Sequence, residues 1–287
     1  MVAASGRYLH IKRCVVRNGH VTRRAHPLPR IVAIRYVSPH ASGDRGGWAA
    51  RHRHRRSRPV SARSDTAPTA SVARLAVLRD VASGIPDPRT LGRPVLVAVD
   101  GIDGAGKTTF ADELATELQR RGRSVVRVGV DGFHRPRAER YRRGRHSAEG
   151  FWADSYDYDA LRTEVLEPFA PRGSRRFRRA VHDVATDAPL HLPREHGTDR
   201  CVLVIDGIFL HRDELAAWWD FSVYLDVDFA ETFARMAVRD GCSPDPTHPS
   251  NARYVDGQRR YLSACRPASR ATVVIDNRDV HHPHLLP

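Results

Sequence analysis

The sequence predicts an α/β protein of three layers, in which a parallel sheet is covered by helices on both faces. Three observations carry that expectation. From Ser71 onward, short apolar runs alternate with stretches of helical period, the pattern of successive βα units. The first apolar run, VLVAVD at 95–100, opens directly into a glycine-rich turn followed by a helical stretch. The chain has 287 residues and is 41% hydrophobic, enough to build a sizeable core.

Each element has a local reason. SVARLAVLRDVAS reads as a helix ending near Gly84 and Pro86. VLVAVD, VVRVGV (125–130), CVLVID (201–206), FSVYLDV (221–227) and ATVVID (271–276) are short, apolar and rich in β-branched residues, so they read as buried strands. Between and after them, helices are expected at about 107–121, 160–169, 212–219, 229–239 and 252–264. A proline-rich polar stretch from Gly241 to Asn251 interrupts the alternation and reads as a lid, at about 240–252. No internal repeat is visible.

Charge divides the chain in two. The net charge is +14, from 47 basic and 33 acidic residues. Residues 1–70 hold Lys12 and fourteen arginines against Asp44 and Asp65, so 71–287 carry 32 basic against 31 acidic residues and are nearly neutral. The expected organisation is therefore a disordered basic extension over 1–70 and one domain over 71–287. The extension admits three readings: an organelle-targeting segment, an arm for nucleic acid or another acidic partner, or an extension without function. Four widely separated cysteines (Cys14, Cys201, Cys242, Cys265) point to a reducing cytoplasm, without a disulfide framework or zinc spacing. No apolar run approaches the ~20 residues that span a bilayer, and no secretion signal is expected. Oligomeric state is not legible.

GIDGAGKT, from Gly101 to Thr108, has two glycines flanking the run before a Lys and a hydroxyl residue, the P-loop pattern. Glycines let successive backbone N–H groups of Gly101, Asp103, Gly104, Ala105 and Gly106 turn inward on an anion, and the helix that follows adds its positive end at Thr108 and Thr109. Lys107 is expected to reach the β- and γ-phosphates of ATP, and the Thr108 hydroxyl to ligate Mg²⁺. Lys107 is the only lysine in 71–287, where arginine serves the other cationic positions, so a compact ammonium has a specific task there.

Triphosphate binding does not name the phosphate acceptor. CVLVID closes on Asp206, a second candidate Mg²⁺ carboxylate, followed by Gly207 in place of the water-polarising Glu of motor ATPases. No Asn-Lys-x-Asp run is present to read guanine. Both absences favour transfer to a hydroxyl over hydrolysis. Asp131 follows VVRVGV and is a candidate general base, or alternatively a turn or helix cap. From a different class, the chain reads as a nucleotide-binding regulator whose basic arm docks on nucleic acid.

From about Pro94 onward the chain resembles the uridine kinase, phosphoribulokinase and bacterial pantothenate kinase group. DGFH (131–134) resembles the group's base-bearing segment, with His134 beside it; FWADSYDYDAL (151–161) resembles its Phe-x-x-x-Ser/Ala-Phe/Tyr-Asp segment; IDGIFL (205–210) resembles its acidic-Gly-Ile strand end. ARMAVRD (234–240) resembles the lid helix, which implies that Arg235 and Arg239 hold phosphates; ACRPASRATVVIDN resembles the segment where a proline and the last strand line the adenine side. The resemblance implies ATP- and Mg²⁺-dependent phosphorylation of a uridine- or cytidine-type nucleoside, with pantothenate or a sugar-like alcohol as the other choice. Trp152 stands where nucleoside kinases carry a ribose-binding Asp; Asp154 or Asp157 replaces it, or each serves as a helix N-terminal carboxylate. In RRFRRAVHDVATDAPL, His182 and Asp183 resemble a Tyr-Asp pair around the acceptor, and Asp187 stands where a His is usual. Trp218 and Trp219 read as core packing, His281, His282 and His284 as a solvated tail. Arg253, Arg259 and Arg260 follow the lid, facing phosphate or solvent.

Overall fold

Six strands build the central sheet of the computed structural model, which describes residues 71–287; the basic extension expected over 1–70 lies outside the described residues. They are β1 (Val95–Gly101), β2 (Ser124–Gly129), β3 (Cys201–Asp206), β4 (Phe221–Asp226), β5 (Val273–Asp276) and β6 (His284–Leu285), in the spatial order β6-β5-β4-β1-β3-β2. The first five run parallel, with Val97 of β1 opposite Val204 of β3 and Phe221 of β4. β6 alone pairs antiparallel, with β5.

Burial explains why the strands read as continuous apolar runs: every residue of β1 and β3 is buried. Alternate side chains serve opposite faces. Leu96, Ala98, Leu203 and Ile205 pack with Phe151, Phe209 and Tyr261, whereas Val97, Val99, Val202 and Val204 pack with Leu78, Phe110 and Leu114. Helices α1 (Val72–Gly84) and α2 (Lys107–Arg120) cover the second face; α3 (Ala148–Asp154) and α5 (Ala252–Cys265) cover the first. Helix α4 (Phe229–Asp240) joins α5 through a small cluster of Phe233, Met236 and Val255. The three-layer α/β fold expected from sequence is the observed one.

Four local features differ from the sequence reading. The helix expected over 160–169 begins at Tyr158 and widens into a π turn over Arg162–Leu166. Pro168 has no N–H for the Glu164 carbonyl, which accepts Arg178 N–H at 3.2 Å instead. Helix α3 was not anticipated; Ser147 starts it by accepting Gly150 N–H at 3.0 Å. The helix expected near 212–219 is only Asp213–Ala216, and the C-terminal tail adds strand β6.

Candidate active site

The cradle stands between β1 and α2. Gly104 (φ +79°) and Gly106 (φ +90°) adopt backbone that favours glycine, and a Cβ on Gly104 would lie 2.7 Å from the Thr232 carbonyl oxygen. Gly106 caps α2 without any side-chain hydrogen bond, leaving the helix's first N–H groups to an anion. Lys107 Nζ donates to Ile102 O at 2.9 Å, which holds the ammonium across the loop. The Thr108 hydroxyl donates to Asp206 Oδ2 at 2.6 Å, so two oxygen ligands suited to Mg²⁺ meet where the first turn of α2 faces the end of β3. Arg127 on β2 donates to Asp206 Oδ1 at 2.8 Å and fixes that carboxylate. Thr109 is exposed beside them. This polar, glycine-built concavity fits a triphosphate with its cation.

Three further groups brace the loop. Asn277, fully buried after β5, donates to Ala105 O at 2.8 Å and accepts from Arg74 at 3.2 Å. Gln258 on α5 accepts the Asp103 N–H at 2.7 Å. Asp100, the last side chain before the glycine turn, accepts Gly101 N–H at 2.7 Å and, on its other oxygen, the His211 imidazole at 2.7 Å and the Tyr261 hydroxyl. Burial and the neighbouring Asp100 push the Tyr261 hydroxyl's pKa far up, so it stays a donor.

Asp131 lies in a 3₁₀ turn (Val130–Phe133) directly after β2, on the sheet edge that carries the cradle. It is half-buried and its Oδ1 accepts the Tyr156 hydroxyl at 3.0 Å. Burial raises its pKa above the ordinary carboxylate range; Asp206 and Asp103 add to the rise, while His134 and Lys107 oppose it. His134 Nδ1 lies 2.8 Å from the Asp131 carbonyl oxygen and its ring is 4.4 Å from that of Tyr156. Burial lowers the imidazole's pKa, against the pull of Asp131, so a neutral ring is favoured. A hairpin of His182–Asp183 and Ala188–Pro189 docks on this turn through Val181 N–H to Gly132 O at 2.8 Å.

The other sequence candidates fall in different places. Arg235 reaches the cradle: its guanidinium donates to Asn277 O at 3.0 Å and lies 3.5 Å from Gly104 O. Arg239 is exposed and paired with Asp240 at 2.7 Å; Asp103 and Asp131 also help to hold it charged. His182 is buried, with Nε2 3.4 Å from Asp187. Asp183 accepts N–H groups of its own turn, from Ala185 and Thr186, which lower its pKa. Asp157 caps its own helix through Ala160 N–H at 3.0 Å, and Asp154 is buried between Arg142 (2.6 Å) and Arg143 (2.9 Å). Trp152 is packed edge-on to Phe209 at 5.0 Å, with the Arg212 guanidinium 4.4 Å from its ring. Trp218 and Trp219 pack against the core, and the three tail histidines are exposed. Arg253 is buried on backbone carbonyls, while Arg259 and Arg260 are exposed. Pro267 and Ile102 border a cavity of about 400 Å³. Among the described residues no His/Cys/Asp/Glu cluster forms a metal centre by itself, and no helix is long and apolar enough to cross a membrane.

Sequence reasoning missed Arg127, Gln258 and the Asp100–His211–Tyr261 network. Only the polar break at the end of VLVAVD and the lone arginine inside VVRVGV hint at them.

The model of the phosphoribulokinase / uridine kinase family matches residues 96–243, from β1 to just past α4. The chain belongs to that family. Its members among similar proteins are phosphotransferases acting on hydroxyl groups, by their names. A pantothenate kinase of Limosilactobacillus fermentum is 29% identical over 173 residues, 54% of this chain and 54% of that protein, so the match spans about half of that relative's length. A uridine kinase of Brevibacillus brevis is 25% identical over 193 residues, covering 62% of this chain and 86% of its own. Among solved structures, a possible uridine kinase from Bacillus stearothermophilus superposes with a TM-score of 0.54 at 24% identity, over 70% of this chain and 96% of that one, and shares the fold.

Proposed function

We propose that this family member transfers the γ-phosphoryl group of ATP to a hydroxyl of a small polar molecule, with Asp131 as general base. The observation that carries the reading is the convergence at one sheet edge of the cradle, the Thr108–Asp206 oxygen pair and a carboxylate of raised pKa held by Tyr156. Bound ATP with Mg²⁺ supplies the phosphoryl group and offsets its charge. Lys107, Arg235 and Arg239 hold phosphate oxygens, while Thr108 and Asp206 hold the cation. Asp131 takes the acceptor's proton as its oxygen bonds to the γ-phosphorus and the bond to the leaving ADP oxygen breaks. His134, His182 and Asp183 border the acceptor.

Sequence resemblance puts uridine or cytidine first. A specific observation favours the second choice, pantothenate or a sugar-like alcohol: Trp152 is packed within the fold, Asp154 is held by two arginines and Asp157 caps its own helix, so each has a structural task. ADP release measured with no acceptor, with uridine, cytidine, pantothenate and sugar alcohols tests the reading. Acceptor-dependent ADP supports transfer; ADP release indifferent to every acceptor supports the nucleotide-binding regulator.

A further inference from the structure

The segment between the base turn and α3, RPRAERYRRGR at 135–145, holds six arginines against the single carboxylate of Glu139. Its ion pairs account for only some of that charge. Arg135 pairs with Glu139 at 3.1 Å, Arg142 with Asp154, and Arg143 with Asp154 and Glu149. Two of the remaining three, Arg140 and Arg145, gather with Arg253 of α5 around one ring: their guanidinium carbons lie 5.6, 5.6 and 4.9 Å from the Tyr141 centroid. Arg140 and Arg253 are 8% and 5% exposed. Among the described residues, Arg145 and Arg253 have no carboxylate within 4.0 Å, and Arg140 shares Asp187, at 3.4 Å, with His182. Arg253 instead donates to the carbonyl oxygens of Ser147 at 2.8 Å and Arg140 at 3.1 Å, and the buried Nε of Arg140 has no hydrogen-bond partner.

Arg140 and Arg253 are buried cations on the same ring, offset by Asp187 at 3.4 Å, by the more distant Asp154 and by neutral carbonyls, and such burial is costly unless an anion completes the set. The fold links the cluster to the base turn: Arg140 shares Asp187 with His182, whose hairpin docks on Gly132. Arg140 acts on His134, whose ring neighbours Tyr156 on Asp131. Arg253 stands on α5 five residues before Gln258, the residue that binds the Asp103 N–H of the cradle, roughly 7.5 Å along the helix axis.

Resting on the phosphotransfer reading, we propose that the acceptor is itself an anion, a hydroxy acid or a sugar phosphate, whose carboxylate or phosphate is held by Arg140, Arg145 and Arg253 while its hydroxyl lies at Asp131. A neutral nucleoside leaves the cluster uncompensated.

Matched pairs test this with the full chain and MgATP: pantothenate against pantothenyl alcohol, glycerate against glycerol, ribose 5-phosphate against ribose. The charged member of at least one pair is expected to give kcat/KM at least tenfold above its neutral partner, and the identity of that pair separates carboxylate from phosphate. Arg145→Ala, at an exposed position that spares the core, is expected to lower that value at least tenfold and to leave KM for ATP within twofold, with Arg145→Lys restoring part of the loss. Calorimetric titration with pantothenate, glycerate and ribose 5-phosphate gives a readout independent of turnover. Anion binding that weakens in Arg145→Ala, with no acceptor-dependent ADP, sinks the phosphotransfer reading alone. Uridine or cytidine preferred over every anion, or no anion bound by the wild-type chain, overturns the proposal.

Discussion

Lys107 and Asp131 carry the sharpest expectations at the scale of single residues. Lys107 makes one side-chain hydrogen bond, to Ile102 O, and contributes nothing to either core cluster. Lys107→Ala is therefore expected to abolish turnover with an unchanged circular dichroism spectrum, and wild-type turnover in that variant would remove the cradle assignment. Asp131→Asn keeps the shape but cannot take a proton, so kcat is expected to fall by roughly two to four orders of magnitude while the Kd for ATP barely moves. Because burial raises the Asp131 pKa, the base is lost as pH falls through a value above the ordinary ~4 of a carboxylate. Stability runs with the opposite sign: the fold prefers the neutral carboxyl, so its ionisation costs stability as pH rises from ~4 through the folded value. The Tyr156 hydroxyl favours the charged form. Tyr156→Phe is thus expected to move the acid limb of the kcat/KM profile to higher pH, and an unmoved or lowered limb would detach that limb from Asp131.

At the scale of elements, α5 does more than cover the sheet. It touches the 140–147 segment through Arg253, the cradle through Gln258, and the end of β1 through Tyr261. Gly257 lets it lie against α3, since a Cβ there would come 2.7 Å from the Phe151 ring. Tyr261→Phe keeps the ring in its pocket but takes one donor from a buried carboxylate that still holds His211. The expected cost is about 1.5–3 kcal/mol in urea unfolding, with an accompanying rise in KM for ATP. Full stability with unchanged KM would show that the Asp100 network does not hold the loop.

At the scale of the whole molecule, every residue assigned to the site lies beyond Pro94, so removing residues 1–70 is expected to leave kcat and KM within about twofold. A large fall in turnover with the fold intact would make the extension part of the enzyme. The nearly neutral 71–287 is expected to bind nucleic acid poorly, and salt-sensitive binding by the truncated protein would contradict that. The sequence by itself determined the layer architecture, because buried parallel strands must be continuous apolar runs, as in VLVAVD and CVLVID. It also marked the cradle, because a backbone that wraps an anion demands Gly104, Gly106 and Lys107 at fixed spacing. Those are local constraints, written within a few residues. Only the tertiary structure decided that Asp154 and Asp157 are engaged by Arg142, Arg143 and a helix end, that Arg127 fixes Asp206, and that Arg253 joins Arg140 and Arg145 around Tyr141. The Asp157 cap is local and the Asp154 pairs cross a short loop, but Arg127 and Asp206 are 79 positions apart and Arg253 and Arg140 113, and no local period or spacing records which side chain folding will bring to which partner.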